Sequence, residues 1–315
     1  MNGRNVSRRD FLKTIGIGGA AATAVWLLEG SVAPVYASEG GAASAWGLLI
    51  DLTRCTGCNS CALACKESNA LALPYPGAVP DGLDSDTYTF VEEHWVTTGA
   101  GDVEQRFVKR QCMHCLNAAC VSACPAAAMH KGDGGAVIYR SNRCLGCRYC
   151  QAACPFGVPR FNWDNGITPV INKCWFCYER LQEGERPACV EACPTGALRF
   201  GLREAVLAQA HAQIASHPER YVDHVFGESE VGGTAVLYLS DVPFEQLGFR
   251  TDLPTTAPPE QTEKIVTKLP FVLTGMAALM TGAAVHTHRK PAESVPEGKE
   301  RKSASPSLPS AGEEE

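Results

Sequence analysis

The chain has 315 residues, 28 basic and 34 acidic side chains, a formal charge of −6 and sixteen cysteines. That length can bury one large core or two to three smaller ones, so disulfide staples are not needed to fold it. Cysteine, at about 5%, lies below the roughly 8–10% of a small disulfide scaffold. The acidic balance argues against nucleic acid as a partner, and more so if residues 1–37 are removed: four basic and two acidic residues leave with them and the charge falls from −6 to −8.

Ser7-Arg8-Arg9-Asp10-Phe11-Leu12-Lys13 has the pattern of a twin-arginine export signal, and a moderately apolar run from Thr14 to Leu28 follows it. Val35-Tyr36-Ala37 offers a small-residue cleavage site, which would place a mature N-terminus at Ser38. The competing reading is two arginines before an ordinary N-terminal helix. Twin-arginine export moves folded proteins, so groups assembled on the protein in a reducing cytoplasm would cross with their ligands already occupied.

All sixteen cysteines lie between Cys55 and Cys193, in four groups, and the last 122 residues contain none. The first group is Cys55, Cys58, Cys61 and Cys65, and the second is Cys112, Cys115, Cys120 and Cys124. The third is Cys144, Cys147, Cys150 and Cys154, and the fourth is Cys174, Cys177, Cys189 and Cys193. Groups one and three have the spacing C-x2-C-x2-C-x3-C, the bacterial ferredoxin run for [4Fe–4S] clusters. Groups two and four widen the gap before the third cysteine to four and eleven residues, and Pro125, Pro155 and Pro194 close groups two, three and four.

Behind the alternation is a repeat. LLIDLTRCTGCNSCALAC and AVIYRSNRCLGCRYCQAAC each lead from a short apolar, strand-like run into R-C-x-G-C, and form one unit, A. ACVSACPAAAM and ACVEACPTGAL are copies of a second unit, B. The order is A, B, A, B, so residues 112–155 read as one two-cluster ferredoxin, and groups one and four can close around it as another. Gly57 and Gly146 let the backbone wrap tightly and aim N–H groups at sulfur.

In two-cluster ferredoxins the last cysteine of each run ligates the other cluster. Interlocked in that way, the sets are Cys55, Cys58, Cys61 with Cys193; Cys112, Cys115, Cys120 with Cys154; Cys144, Cys147, Cys150 with Cys124; and Cys174, Cys177, Cys189 with Cys65. The alternative is that each motif closes its own cluster. Zinc on paired C-x2-C motifs and plain disulfides compete for the same thiols, but neither explains a third and fourth cysteine repeated four times.

Residues 66–105 form a polar, glycine-rich insertion that covers a cluster or meets a partner. Arg106, Lys109, Arg110, Arg140, Arg143, Arg148 and Arg160 crowd the middle ferredoxin, either to offset cluster charge or as a solvated basic face. His114 lies inside a cysteine loop and reads as a packing residue. Leu202, Val206, Ala210 and Ile214 mark the core face of a helix. Residues 269–285, LPFVLTGMAALMTGAAV, carry no charge and are just long enough to span a bilayer, with His286, His288, Arg289 and Lys290 following. A buried or partner-packed helix is the alternative. The Pro-, Ser- and Glu-rich tail reads as disordered.

The four motifs, the segment FGESEVGGTAVLYLSDVPFEQLG and the late apolar run resemble the four-cluster iron–sulfur subunits of membrane oxidoreductases, a family that includes formate dehydrogenase beta and dimethyl sulfoxide reductase iron–sulfur subunits. Within it, the twin-arginine signal, KRQCMHC and GGTAVLYL are most similar to the HybA-type subunit of quinone-linked [NiFe] hydrogenase. The resemblance implies an α+β fold of two interlocked 2[4Fe–4S] ferredoxin domains with insertions and a C-terminal transmembrane helix. Its parts would be a signal peptide (1–37), a four-cluster region (38–200), a Cys-free extension (201–262), an anchor (269–286) and a cytoplasmic tail (287–315). It implies an electron-transfer subunit without catalytic residues, carrying four [4Fe–4S] clusters on the periplasmic side of the inner membrane. The partners would be catalytic hydrogenase subunits, or else a molybdopterin subunit, together with an integral membrane quinone-reactive subunit. In the family, the outer pair of groups faces the catalytic subunit and the middle pair the membrane.

Overall fold

The computed structural model describes residues 45–73, 75, 77–99, 101–163 and 171–288. The twin-arginine motif, the cleavage site and the tail from 289 onward lie outside the described residues. The chain divides into two units, Met1–Thr262 and Glu263–Glu315.

Strand β1 (Trp46–Asp51) is the apolar run that leads into the first cysteine group, and it is buried on both faces. Leu48 and Ile50 enter one core and Leu49 another, as the two-residue period of a strand dictates. Asp51 accepts the Thr53 N–H at 3.1 Å, capping the short 3-10 turn Leu52–Arg54 that delivers Cys55. Helix α1 (Ser60–Ser68) carries Cys61 and Cys65, whose spacing of four puts both on one buried face. The insertion after it is more ordered than its composition suggests. β2 (Phe90–Thr97) and β3 (Val103–Arg110) pair in register as an antiparallel hairpin, and Lys66 donates to the carbonyls of Ala72 (2.7 Å) and Asp86 (3.2 Å), tying down the loop between.

The predicted repeat is visible as repeated structure. Group two continues into α2 (Ala119–Ser122) and β4 (Met129–Lys131). β5 (Val137–Tyr139), a 3-10 turn at Ser141–Arg143 and α3 (Tyr149–Ala153) follow as the second copy of unit A. A short pairing of β6 (Arg160–Phe161) with β7 (Ile171–Asn172) precedes α4 (Tyr178–Gln182), α5 (Ala188–Glu191) and β8 (Leu198–Leu202), the second copy of unit B. β4 pairs antiparallel with β5, and β8 pairs antiparallel with β1. The sheet pairing thus joins group two to group three and group four to group one.

Helix α6 (Arg203–Ser216) buries Val206, Ala210 and Ile214 as the periodicity predicts. Leu202 does not join them. The chain is still extended there (φ −64°, ψ 138°), so Leu202 is exposed at the strand end, and Arg203 takes the buried place with its Nε donating to the Thr234 carbonyl at 2.7 Å. β9 (Val236–Leu239) then runs parallel to β1 on the edge opposite β8, with all four residues buried. The Cys-free region therefore supplies one of the three strands of the main sheet. It also supplies Phe226, Tyr238, Phe244 and Phe249, whose contacting ring centroids lie 4.7–6.4 Å apart in mostly edge-on contact.

Near the C-terminus are α7 (Pro258–Val266) and α8 (Leu269–His288). The apolar run predicted over 269–285 lies within α8, which continues to His288 because nothing in Val285-His286-Thr287 breaks a helix. At about 1.5 Å per residue, twenty residues give about 30 Å, the thickness of a bilayer's hydrocarbon core. The stretch Pro258–Ala284 is the one among the described residues that is long and apolar enough to cross a membrane: an 18-residue window of it has mean hydropathy 1.5 and is nowhere buried.

Candidate iron–sulfur centres

All sixteen cysteines are described, and all are free thiols. Cys55, Cys58, Cys61 and Cys193 line one cavity, together with Val91 and Lys109. Cys144, Cys147, Cys150 and Cys124 line a second, together with Arg148. Cys115 feels the charges of Cys112, Cys154 and Cys120. Cys65 feels those of Cys189 and Cys177, and Cys174 those of Cys65 and Cys177. In both cavities the fourth sulfur comes from another group of the sequence, and the cysteines whose charges Cys115 and Cys65 feel likewise include members of another group. Electrostatic influence also runs from one gathering to the next: Cys61 feels the charge of Cys189, Cys174 that of Cys112, and Cys120 that of Cys150.

The loops that present these sulfurs share one backbone device. The residue before the second cysteine of every motif is left-handed: Gly57 (φ +71°), His114 (+47°), Gly146 (+67°) and Phe176 (+63°). This turns N–H groups inward, and the Gly146 and Phe176 amides each lie 3.4 Å from the Sγ of the preceding cysteine, Cys144 and Cys174. Glycine is free to adopt this conformation, whereas a histidine or phenylalanine is strained by about 1–3 kcal/mol and persists only where packing over-determines it. Those two rings supply that packing: His114 is fully buried and its centroid lies 4.5 Å from that of Phe176. The absence of glycine in the B loops hid this equivalence in the sequence.

The hairpin of the insertion covers the first loop. A Cβ on Gly57 would come within 2.5 Å of the Phe107 ring at a left-handed φ. Gly57→Ala is therefore expected to destabilise the folded protein by about 2–3 kcal/mol, read as an earlier thermal transition with early loss of the visible chromophore. An unchanged transition would reject the close packing of that loop.

Burial pushes most of the thiols up: Cys61 and Cys150 to about 11, Cys65 and Cys120 to about 12. Cys58, the exposed one of its set, is held lower by the Ser60 hydroxyl. At Cys193 burial acts upward but is outweighed by the Thr195 hydroxyl and the backbone N–H groups of Leu198, Ala197 and Thr195. Such thiols ionise only when a cation is at hand, and an iron centre is one.

Two lysines, Lys109 and Lys173, are buried among them, and a third, Lys131, is half-buried. Lys109 is 1% exposed and donates to Thr89 Oγ1 (2.8 Å) and Gln111 Oε1. Burial opposes its charge, but Cys189, Cys61 and Cys174 hold it above its ordinary value. Lys173 donates to the carbonyls of Val137 and Cys174 and draws down Cys120. Lys131 donates to the carbonyls of Cys115 (2.7 Å) and Gly135, and burial lowers it to about 8 against the upward pull of Cys115, Cys112 and Cys120. Among the described residues none of the three meets a carboxylate. A buried ammonium needs an anion, and a [4Fe–4S] cluster with its thiolates, at about −2, is one. The donor set and its cations fit that group.

Of the seven basic residues expected to crowd the middle ferredoxin, three sit elsewhere, because β3 belongs to the hairpin over the first loop. Arg106 pairs with Asp241 (2.6 Å) and Glu104, Arg110 pairs with Glu92 and lies over Phe249, and Lys109 serves the outer gatherings. Arg148 does line the middle cavity, stacked over Trp163 at 4.7 Å. Arg140, Arg143 and Arg160 are exposed. Lys131 and Lys173 escaped sequence reading, since a lysine beside a cysteine motif gives no sign of whether it faces in or out.

Two β–α repeats per ferredoxin unit, each bearing cysteine loops, define a dicluster ferredoxin-type iron–sulfur protein. The family model for a 4Fe-4S dicluster domain matches residues 103–203. The chain is 42% identical over 294 residues to a protein of Nitratidesulfovibrio vulgaris (90% of this chain, 78% of that one). It is 35% identical over 288 residues to the hydrogenase-2 operon protein HybA of Escherichia coli O157:H7 (77% and 86%). It is 37% identical over 199 residues to the iron-sulfur subunit of nitrate-inducible formate dehydrogenase of Escherichia coli K12 (61% and 66%). The chain belongs to the family of iron–sulfur subunits that includes HybA.

Proposed function

We propose that the chain is the electron-transfer iron–sulfur subunit of a membrane-bound oxidoreductase complex, without catalytic residues of its own. It relays electrons between a catalytic subunit and an integral membrane quinone-reactive subunit. When bound, four [4Fe–4S] clusters supply the one-electron carriers. The ligand sets are Cys55, Cys58, Cys61 and Cys193; Cys174, Cys177, Cys189 and Cys65; Cys112, Cys115, Cys120 and Cys154; and Cys144, Cys147, Cys150 and Cys124. The observation that carries the reading is the crossing of the fourth cysteines, with Cys193 lining one cavity beside Cys55, Cys58 and Cys61, and Cys124 lining another beside Cys144, Cys147 and Cys150. Crossing makes two interlocked ferredoxins out of four motifs.

Exposure marks the two ends of the chain of carriers. Cys58 and Cys147, equivalent positions in the two A units, are the two exposed cysteines, and they belong to the first and last gatherings of the series. Electrons enter at one and leave at the other, the Cys58 end facing the catalytic subunit and the Cys147 end the membrane. The catalytic partner is a [NiFe] hydrogenase, supported by the match to HybA over 86% of its length. The formate dehydrogenase relative favours a molybdopterin partner as the second reading.

Export by the twin-arginine signal (1–37) puts the four-cluster region (38–200) and the Cys-free extension (201–262) in the periplasm. The anchor at 269–286 crosses the inner membrane, and the basic flank leads a cytoplasmic tail (287–315), as the positive-inside rule requires. Purification from detergent-solubilised membranes, with identification of the copurifying large subunit, tests the partner. A hydrogenase subunit is expected, a molybdopterin subunit selects the second reading, and no partner rejects both. Deleting the chain from Leu269 onward is expected to release it to the soluble fraction and to weaken quinone-linked turnover more than dye-linked turnover. Undiminished membrane attachment would mean that partners, not α8, hold it.

A further inference from the structure

Among the described residues, six buried side-chain polar atoms have no hydrogen-bond partner: Asn59 Oδ1, His94 Nε2, Gln111 Nε2, His114 Nε2, His130 Nε2 and Trp175 Nε1. Their chemistry separates them. Asn59 Oδ1 is an acceptor, His94 Nε2 lies 3.1 Å from a Glu92 oxygen, and His130 faces the Ala128 carbonyl through Nδ1, which leaves its Nε2 without the proton.

The other three are donors, and the surroundings fix this. Gln111 turns its Oε1 to the Lys109 ammonium, which can only donate, so its NH2 is the free end. His114 Nδ1 accepts the Val137 N–H at 3.0 Å, so in the neutral ring the proton sits on Nε2. An indole N–H is a donor only.

All three belong to the two B loops. Gln111 and His114 flank Cys112 in Gln111-Cys112-Met113-His114-Cys115, and Trp175 follows Cys174. No orphaned donor occurs at the A loops among the described residues. Gln111 is 4% exposed and His114 is 0% exposed, so water does not satisfy them by surface contact. A buried donor left unpaired costs about 1–3 kcal/mol, and three in two short segments mark an acceptor that the polypeptide does not supply. The sulfurs of a cluster are acceptors.

We propose that Gln111 Nε2 and His114 Nε2 donate hydrogen bonds to sulfur of the cluster held by the second loop, and Trp175 Nε1 to sulfur of the cluster held by the fourth. These are positioning residues for potential. Donors at sulfur stabilise the extra negative charge of the reduced state, so they raise the reduction potential. The two inner carriers are thereby set above the two outer ones, so an electron passing from an outer carrier to an inner one steps down in energy, crosses between the ferredoxins on the level and climbs again to reach the far outer carrier. The assignment rests on the four-cluster reading.

The test is redox-poised electron paramagnetic resonance on the full-length protein in its complex, with each signal assigned by the cysteine variant that abolishes it. Trp175→Phe keeps a ring against Tyr88, 6.4 Å away and nearly parallel, while removing the N–H. His114→Asn tolerates a left-handed φ and retains an acceptor for Val137. Trp175→Phe is expected to shift the signal lost in Cys177→Ser to more negative potential and leave the signal lost in Cys115→Ser in place. His114→Asn is expected to do the reverse. Pulsed measurements on protein carrying 15N in the tryptophan indole are expected to show a nitrogen coupling that Trp175→Phe removes. Unmoved midpoints in both variants, with cluster content intact, overturn the proposal and leave the four-cluster reading standing. A wild-type protein without the two inner signals overturns that reading and the proposal together.

Discussion

Replacing Cys154 with serine is expected to abolish the paramagnetic signal of the cluster at Cys112, Cys115 and Cys120, although the mutation lies in the third motif. Cys154 is half-buried and feels Cys112, while Cys115 and Cys120 in turn feel Cys154. Cys124→Ser is expected to do the reverse, because Cys124 shares its cavity with Cys144, Cys147 and Cys150. Serine is nearly isosteric but offers a harder, far less acidic ligand, so the loss is expected to be close to complete for that cluster while the other members of the series persist. Signals compared with those of Cys115→Ser and Cys147→Ser decide the matter. If Cys154→Ser silences the same signal as Cys147→Ser and spares the one lost in Cys115→Ser, each motif closes its own cluster.

The second large effect is expected at Lys109. Its ammonium is buried among Cys189, Cys61 and Cys174, held by a hydroxyl and an amide oxygen and by no carboxylate among the described residues. Lys109→Met fills the same space without the charge. With an effective dielectric of about 20, a neighbouring unit charge contributes on the order of 2 kcal/mol, and for a one-electron couple that lowers the potential on the order of 100 mV. The signals lost in Cys58→Ser and Cys177→Ser are expected to move down together, while the Cys147 signal stays in place. Equal shifts at all four, or none, would contradict a local role for the charge.

Much of this arrangement was legible in the sequence because it is local. The strand before each A motif, the spacing that puts Cys61 and Cys65 on one face of α1, and the glycines at 57 and 146 all follow from residues a few positions apart. The A–B–A–B order announces the outer and middle pairing, which β1 with β8 and β4 with β5 then display. What the sequence hid is long-range or masked by substitution. β9 joins β1 from nearly 190 residues away, and no periodicity within either strand names the other. Leu202 fits the helical period, yet the strand pairing with Trp46 holds it extended one residue too long. Phe90–Arg110 reads as polar filler because half its side chains face solvent, although its buried side carries Lys109 and Phe107 to the first loop. In the B loops, His114 and Phe176 adopt the glycine conformation without being glycine.

The most direct measurement is Mössbauer spectroscopy with chemical iron, sulfide and zinc analysis on the 57Fe-enriched, anaerobically purified protein. Four interlocked sets of thiolates require all the iron to sit in [4Fe–4S] environments, at about four irons for every four cysteines, with matching labile sulfide and no zinc. Half that iron, or stoichiometric zinc in any set of four, would contradict a four-cluster electron relay.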